Sequence, residues 1–160
     1  MMYADNQFKW VIVVNRKVPI PKVLNAIGHL ALAMPTQCKV EAAGYFHSYE
    51  GPDGNLMSSI SNWPVIVLQA NNSNQLRTLR DAAIAASLPC QAFVDTMIGH
   101  SAEDQMQKTK TTNHNTVEYF AVMVFGESDR DLRPLTKKFS LFAQPPTDTH
   151  SHGFQTVDPD

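Results

Sequence analysis

The side chains in this chain best suited to chemistry are an amine, an imidazole and a carboxylate: Lys22, His29 and Asp95. Lys22 and His29 stand two helical turns apart, within ~20° of each other around a helix axis. Ala26 and Ala33 share that stripe, so small residues leave a groove beside the two long ones. In such a groove an imidazole takes a proton from water while an ammonium steadies developing negative charge. Lys22 falls in the expected first turn of its helix, where a cation opposes the helix dipole. Arg16 and Lys17 lie just upstream and, with the free N–H groups of the helix start, would make a local anion site. Asp95 closes an expected strand, the position at which α/β sheets present ligand-contacting groups. A carboxylate there would orient a histidine or keep a lysine charged. His100 follows Gly99 and would turn back toward the same cleft, and Asn25 and Thr96 adjoin these groups as further expected substrate contacts. Taken alone, these residues fit equally a solvated lysine, a satisfied histidine and a turn-capping aspartate.

Other signals are weaker. His100 and Glu103 form one His-x-x-Glu pair, short of a metal site, and His150 and His152 stand in a polar tail. Cys38 and Cys90 show no zinc-ligand spacing and read as free thiols of a reducing compartment. Asn71-Asn72-Ser73 is a glycosylation sequon without meaning in a cytoplasmic protein. No Gly-rich phosphate loop and no serine nucleophile elbow occurs, so neither metal nor cofactor is expected.

The elements that must position these groups follow from hydrophobic patterning. Residues 8–15 (FKWVIVVN) are a β-branched run suited to a strand buried on both faces. A helix opens near Pro21, buries Val23, Leu24, Ile27, Leu30, Ala31 and Met34, and is expected to end at Pro35. Residues 36–62 read as one or two edge strands and a loop at the GPDGN turn. Residues 65–68 (VIVL) form a second buried-type strand, and Ser73 is the expected cap of a helix to about Ser87. Residues 90–95 (CQAFVD) and 116–125 (TVEYFAVMVF) are further strands, with a short helix or loop at 101–110 between them. A last helix starts after Asp129 or Asp131, the latter preferred because it leaves Pro134 in the first turn. The alternation predicts an α/β protein: a three-layer α/β/α sandwich with a mixed four- to five-stranded sheet.

At 160 residues the chain fits a single domain, expected over residues 1–144, with a flexible tail over 145–160. A net charge of −2 argues against a general nucleic-acid binder. Neither a signal peptide nor an apolar run of membrane-spanning length is seen, and a soluble, cytoplasmic protein is expected.

The segment KVLNAIGH at residues 22–29, following FKWVIVVNRKVPIP, resembles the opening of the archaeal and eukaryotic type of peptidyl-tRNA hydrolase, in which a lysine and a histidine seven residues later share the first helix. CQAFVD is similar to the family's third strand, which ends in an aspartate, and residues 121–142 are similar to its closing strand, turn and helix. The KWVIVVNRKVPI opening, GHLALA at residues 28–33 and LTKKFSL at residues 135–141 look most like the branch called domain of unknown function 2000. The resemblance implies a peptidyl-tRNA hydrolase II-like fold, a homodimer, and Lys22, His29 and Asp95 as the catalytic set. Departures stand beside it: Ala26 replaces a glutamine, Gly28 a serine, and Thr96-Met97-Ile98-Gly99-His100 replaces a Gly/Arg/Thr/Gln loop. These, with the net charge, count against tRNA as substrate. Two functions are expected in parallel. One is hydrolysis of an acyl ester or amide of aminoacyl- or peptidyl-nucleotide type; the other is non-catalytic binding of an anionic small molecule or a protein partner.

Overall fold

The computed structural model describes residues 7–143, so the expected tail lies outside the described residues. The elements run β1 (Phe8–Asn15), α1 (Ile20–Gln37), β2 (Phe46–Glu50), β3 (Met57–Ser61), β4 (Val65–Ala70), α2 (Ser73–Ala85) and β5 (Cys90–Val94). After these come α3 (Ala102–Thr111), β6 (Tyr119–Glu127), α4 (Arg133–Thr136) and β7 (Ser140–Leu141). Five strands form one sheet in the order β5-β6-β1-β4-β7, and β2 and β3 pair apart from it. Since β1 is parallel to β4, and β6 is antiparallel to both β1 and β5, strands β1, β4 and β5 run one way. β6 and β7 run the other.

Neighbouring residues of β1 face opposite sides of the sheet. Trp10, Ile12 and Val14 enter one apolar cluster, Val11 and Val13 a second. Burial on both faces removes any polar alternation, which is why the strand reads as a continuous apolar run. α1 seals the first face with Val23, Ala26, Leu30 and Met34, and α2 seals the second with Leu76, Leu79 and Ala83. Each large aliphatic side chain fully buried in these layers contributes about 1.5–3 kcal/mol. No helix among the described residues is long and apolar enough to cross a membrane.

One polar side chain is buried among the described residues: Asn15, 2% exposed, at the end of β1. Its Nδ2 donates to the Tyr119 carbonyl at 3.0 Å, and its Oδ1 accepts the Lys17 N–H at 3.0 Å. Ser73 Oγ accepts the Tyr119 N–H at 3.0 Å. Asn15 and Ser73 thus tie the carboxyl end of β1 and the start of α2 to the first residue of β6.

Several elements depart from the sequence reading. α1 passes through Pro35 to Gln37. The ring costs one backbone bond, to Ala31, which stands on the exposed side of the helix, open to solvent. The cap of α2 is Asn72, which accepts the Gln75 N–H at 3.0 Å, because Ser73 is turned toward Tyr119. Residues 36–62 add no strand to the main sheet; they hold a short 3₁₀ turn and the separate β2–β3 hairpin. Trp10 Nε1 donates to Ser61 Oγ at 2.9 Å and anchors that hairpin. The last helix is reduced to α4, behind a π turn at Ser128–Leu132, with Pro134 in its first turn as expected. Asp131 does not cap α4; its carboxylate reaches back to the Glu127 N–H at 3.0 Å.

Candidate functional site

The inward face of α1 advances in steps of three and four, and Lys22, Asn25 and His29 each precede an inward residue by one position. They therefore stand at the rim where the helix meets the sheet. At that rim the His29 imidazole lies over the ring of Phe93 on β5, centroids 5.6 Å apart and planes 26° apart. Phe93 is 5% exposed, so its ring is a fixed wall, whereas His29 is exposed. A cleft of about 460 Å³ opens here, floored by Leu30 and Phe93 and walled by Asn25, His29, Gln91 and Gln105. The turn after β5 closes it with Met97, Ile98 and Gly99. Gln105 Nε2 donates to the Gly99 carbonyl at 3.2 Å, and the Thr96 and Thr109 hydroxyls meet at 2.8 Å, so α3 is fastened to that turn.

Of the residues expected from sequence, the cleft joins His29 and Asn25. Lys22 is exposed about 10 Å further along the helix axis and does not line the cleft. Among the described residues it forms no ion pair. Asp95 does not close β5; it opens a 3₁₀ turn, Asp95–Met97. Its Oδ1 accepts the N–H groups of Thr96 at 2.9 Å and Glu118 at 3.2 Å, and its own N–H donates to the Glu118 carbonyl at 2.9 Å. That carboxylate ties the end of β5 to the segment before β6. Thr96, His100, Arg16 and Lys17 also stand outside the lining.

The anion site expected at the start of α1 lacks its donors. Pro19 and Pro21 have no N–H, and the Lys22 and Val23 N–H groups both reach the Pro19 carbonyl, at 3.0 and 3.1 Å. Ile20 alone has an N–H left for a ligand. His100 lies before α3 and Glu103 within it, so the pair is not set at helical spacing. No group of three or more His, Cys, Asp or Glu side chains placed to hold a metal occurs among the described residues. Burial pushes the Cys90 thiol up to about 11, with smaller opposing influences from Arg80 and Asp81, so it stays protonated at neutral pH.

Sequence reasoning missed Phe93, Gln91, Gln105 and Met97. Strand alternation in CQAFVD does place Gln91 and Phe93 on one face, but nothing local pairs that face with α1. Gln105 joins only through the docking of α3.

The lining holds one imidazole and three side-chain amides over an apolar floor, with no Asp, Glu, Lys or Arg among it. Fold and site define an α/β protein with a mixed five-stranded sheet and a cleft, free of Asp, Glu, Lys and Arg, between its first helix and an edge strand. The chain belongs to the family described as protein of unknown function (DUF2000), which matches residues 8–143. It is similar in structure to the protein of unknown function Atu0240 from Agrobacterium tumefaciens strain C58, with a TM-score of 0.72 and 16% identity. That match covers 86% of this chain and 98% of the other, and it is a likeness of fold alone. No curated protein matches the chain.

Proposed function

We propose that this chain is a binding module on a peptidyl-tRNA hydrolase II-like scaffold, and that its His29 cleft takes a neutral, amide-rich ligand such as an acylated amino acid or a peptide segment. The carrying observation is the lining: side-chain amides of Asn25, Gln91 and Gln105 and the His29 imidazole surround an apolar floor. Amide side chains both donate and accept hydrogen bonds, so they complement amide and ester groups without a charge. A lining without Lys or Arg favours such a ligand over the anionic one expected from Arg16, Lys17 and Lys22.

A second reading, hydrolysis of an acyl ester or amide, has the exposed His29 imidazole and Lys22 on the same helix stripe in its favour. There His29 would take a proton from water as the water oxygen attacks the carbonyl, then return it to the departing oxygen or nitrogen. With the Asp95 carboxylate held by backbone N–H groups, His29 lacks the orienting acid that such bases use. The order of the two readings rests on this. The resemblance-based homodimer is part of the same proposal, and the β2–β3 hairpin, with Phe46 and Met57 exposed, supports it as a contact between copies.

Titrating N-acetyl-leucinamide into labelled protein is expected to perturb Asn25, His29, Gln91 and Gln105 and to yield no product. N-acetyl-aminoacyl-tRNA and a p-nitrophenyl ester, incubated beside His29→Ala and Lys22→Ala, test the second reading. Turnover abolished by His29→Ala would replace binding with hydrolysis. If the cleft resonances stay still and nothing turns over, neither reading stands.

A further inference from the structure

A second cleft, of about 390 Å³, lies toward α2; it shares Gln91, Ala92 and Met97 with the first but includes none of the site residues expected from sequence. Arg80 and Ile84 reach it from consecutive turns of α2, Ala92 and Val94 from alternate positions of β5, and Met97 closes one side. Tyr119, the residue that Asn15 and Ser73 hold by its backbone, forms the inner wall and is 2% exposed. Its hydroxyl meets His114 Nδ1 at 2.7 Å, and His114 Nε2 stands 3.6 Å from Asp81 Oδ1. Asp81 Oδ1 also accepts from Arg80 Nη1 at 3.1 Å. The lining is thus mixed: Ile84, Ala92, Val94, Met97 and Val117 supply apolar surface, and Gln91, Thr109 and Thr112 add neutral polar groups beside Arg80, His114 and Tyr119.

Two observations argue that the Tyr119–His114 pair does more than fasten the loop before β6. The loop is already held by its backbone: Arg77 donates to the His114 carbonyl at 3.1 Å and to the Val117 carbonyl at 3.4 Å. The Tyr119–His114 bond is therefore not needed as a tether. Secondly, the lining carries a single permanent charge. Cys90 and Tyr119 both line it, and burial raises both, keeping thiol and phenol neutral. Asp81 lies off the wall, and Arg80 donates one hydrogen bond to it out of the five N–H groups of a guanidinium. The Arg80 side chain is 36% exposed, so a ligand can reach it.

We infer that this cleft is a second ligand site, built for a small monocarboxylate with an apolar body. Arg80 takes the carboxylate, the Tyr119–His114 pair stands beside it, and Ile84, Ala92, Val94 and Met97 receive the hydrocarbon. A planar guanidinium matches a carboxylate in bidentate fashion, and the N–H groups that Arg80 does not give to Asp81 are free for one, while the neighbouring Asp81 carboxylate disfavours the second charge of a phosphate dianion. The volume is that of a small-molecule pocket. This site does not depend on the reading given to the His29 cleft.

The test is calorimetric titration of the full chain with octanoate, octanol and octyl phosphate, with the methyl resonances of Ile84 and Val94, and the resonances of Asn25 and His29, followed in parallel. Octanoate is expected to bind and to shift those methyl groups, and octanol to bind at least about tenfold more weakly. Arg80→Met is expected to weaken octanoate about ten- to hundredfold, the scale of a charge-assisted hydrogen bond, while leaving octanol unchanged. Should Arg80→Met fail to fold, Ile84→Trp fills the cleft from a half-exposed position and is expected to block octanoate with Arg80 intact. The proposal is overturned if octanoate does not bind, if octanol or octyl phosphate binds as well, or if both variants bind octanoate like the parent. It is equally overturned if the shifts fall at Asn25 and His29.

Discussion

The His29 imidazole stacks on the Phe93 ring across the gap between the first helix and the edge strand, centroids 5.6 Å apart. Stacked aromatic pairs contribute about 0.5–1.5 kcal/mol beyond their buried area. Since His29 is exposed, His29→Ala is expected to change stability by no more than about 1 kcal/mol in urea unfolding. Phe93→Leu is expected to cost more, because Phe93 belongs to the core, and to move the His29 ring-proton resonances as the ring current disappears. Unchanged resonances would mean that the two rings do not stack in solution.

Asn15 and Ser73 both serve the backbone of Tyr119, one at its carbonyl and one at its N–H. Removing either strands a buried polar group, at a cost of about 1–3 kcal/mol. Asn15→Ala and Ser73→Ala should each lower the free energy of unfolding by that amount, read from urea denaturation. The double variant should lose less than the sum, since the two act on one residue. Strict additivity would show them to be independent.

The Arg130 guanidinium, hydrogen-bonded to Asp131, holds that carboxyl below the usual carboxylate range, and the Glu127 N–H adds to the effect. A folded pKa below the unfolded one gives stability that is fully present above the unfolded value, ~3.9, and lost as pH falls through the folded value. Asp131→Asn is therefore expected to cost about 1 kcal/mol at neutral pH. The difference from the parent should close as pH drops below about 4. A difference that persists in acid would assign the loss to packing against Gly126, whose position a Cβ would share at 3.1 Å from Asp131 Cβ.

Helix α2 ends with Ser87 at φ 57°, while the Leu88 N–H reaches the Ala83 carbonyl at 2.9 Å and the Ser87 N–H the Ile84 carbonyl at 2.9 Å. This left-handed stop favours glycine, and a side chain there costs about 1–2 kcal/mol. Ser87→Gly is expected to raise stability by about 1 kcal/mol, the greater freedom of glycine in the unfolded chain offsetting part of the gain. Thermal or chemical denaturation reads this directly.

Local pattern made much of the scaffold legible, and the site much less so. Residues 8–15 had to be buried on both faces, and Val23, Leu30 and Met34 had to face a sheet, whereas Leu24 and Ala31, read into the same stripe, are exposed because Ala26 holds the inward position between Val23 and Leu30. The Lys22–His29 spacing located His29 correctly at the helix rim. It could not tell that the Lys22 and Val23 N–H groups would both turn to the Pro19 carbonyl, nor that Asp95 would turn back on the Glu118 backbone. β7 escaped notice because two residues, Ser140 and Leu141, carry no periodicity and pair only through the position of β4. Ser73 was misread for a related reason. Its sequence is that of a helix cap, and only the distant Tyr119 N–H explains why Asn72 does that work instead.

β5 lies at the margin of the sheet, bonded to β6 along one side only. α3 contributes Gln105 to one cleft beside that strand and Thr109 to the other, and it is fastened to the turn that follows the strand. A bare margin of this kind recruits strands from other chains and seeds fibres. α3 buries none of its own side chains and is held by a pair of threonine hydroxyls and one glutamine. Loosening α3 through Thr96 or Thr109 is therefore expected to leave the core's unfolding midpoint nearly unchanged, and light scattering followed beside unfolding would show whether the margin then recruits other chains.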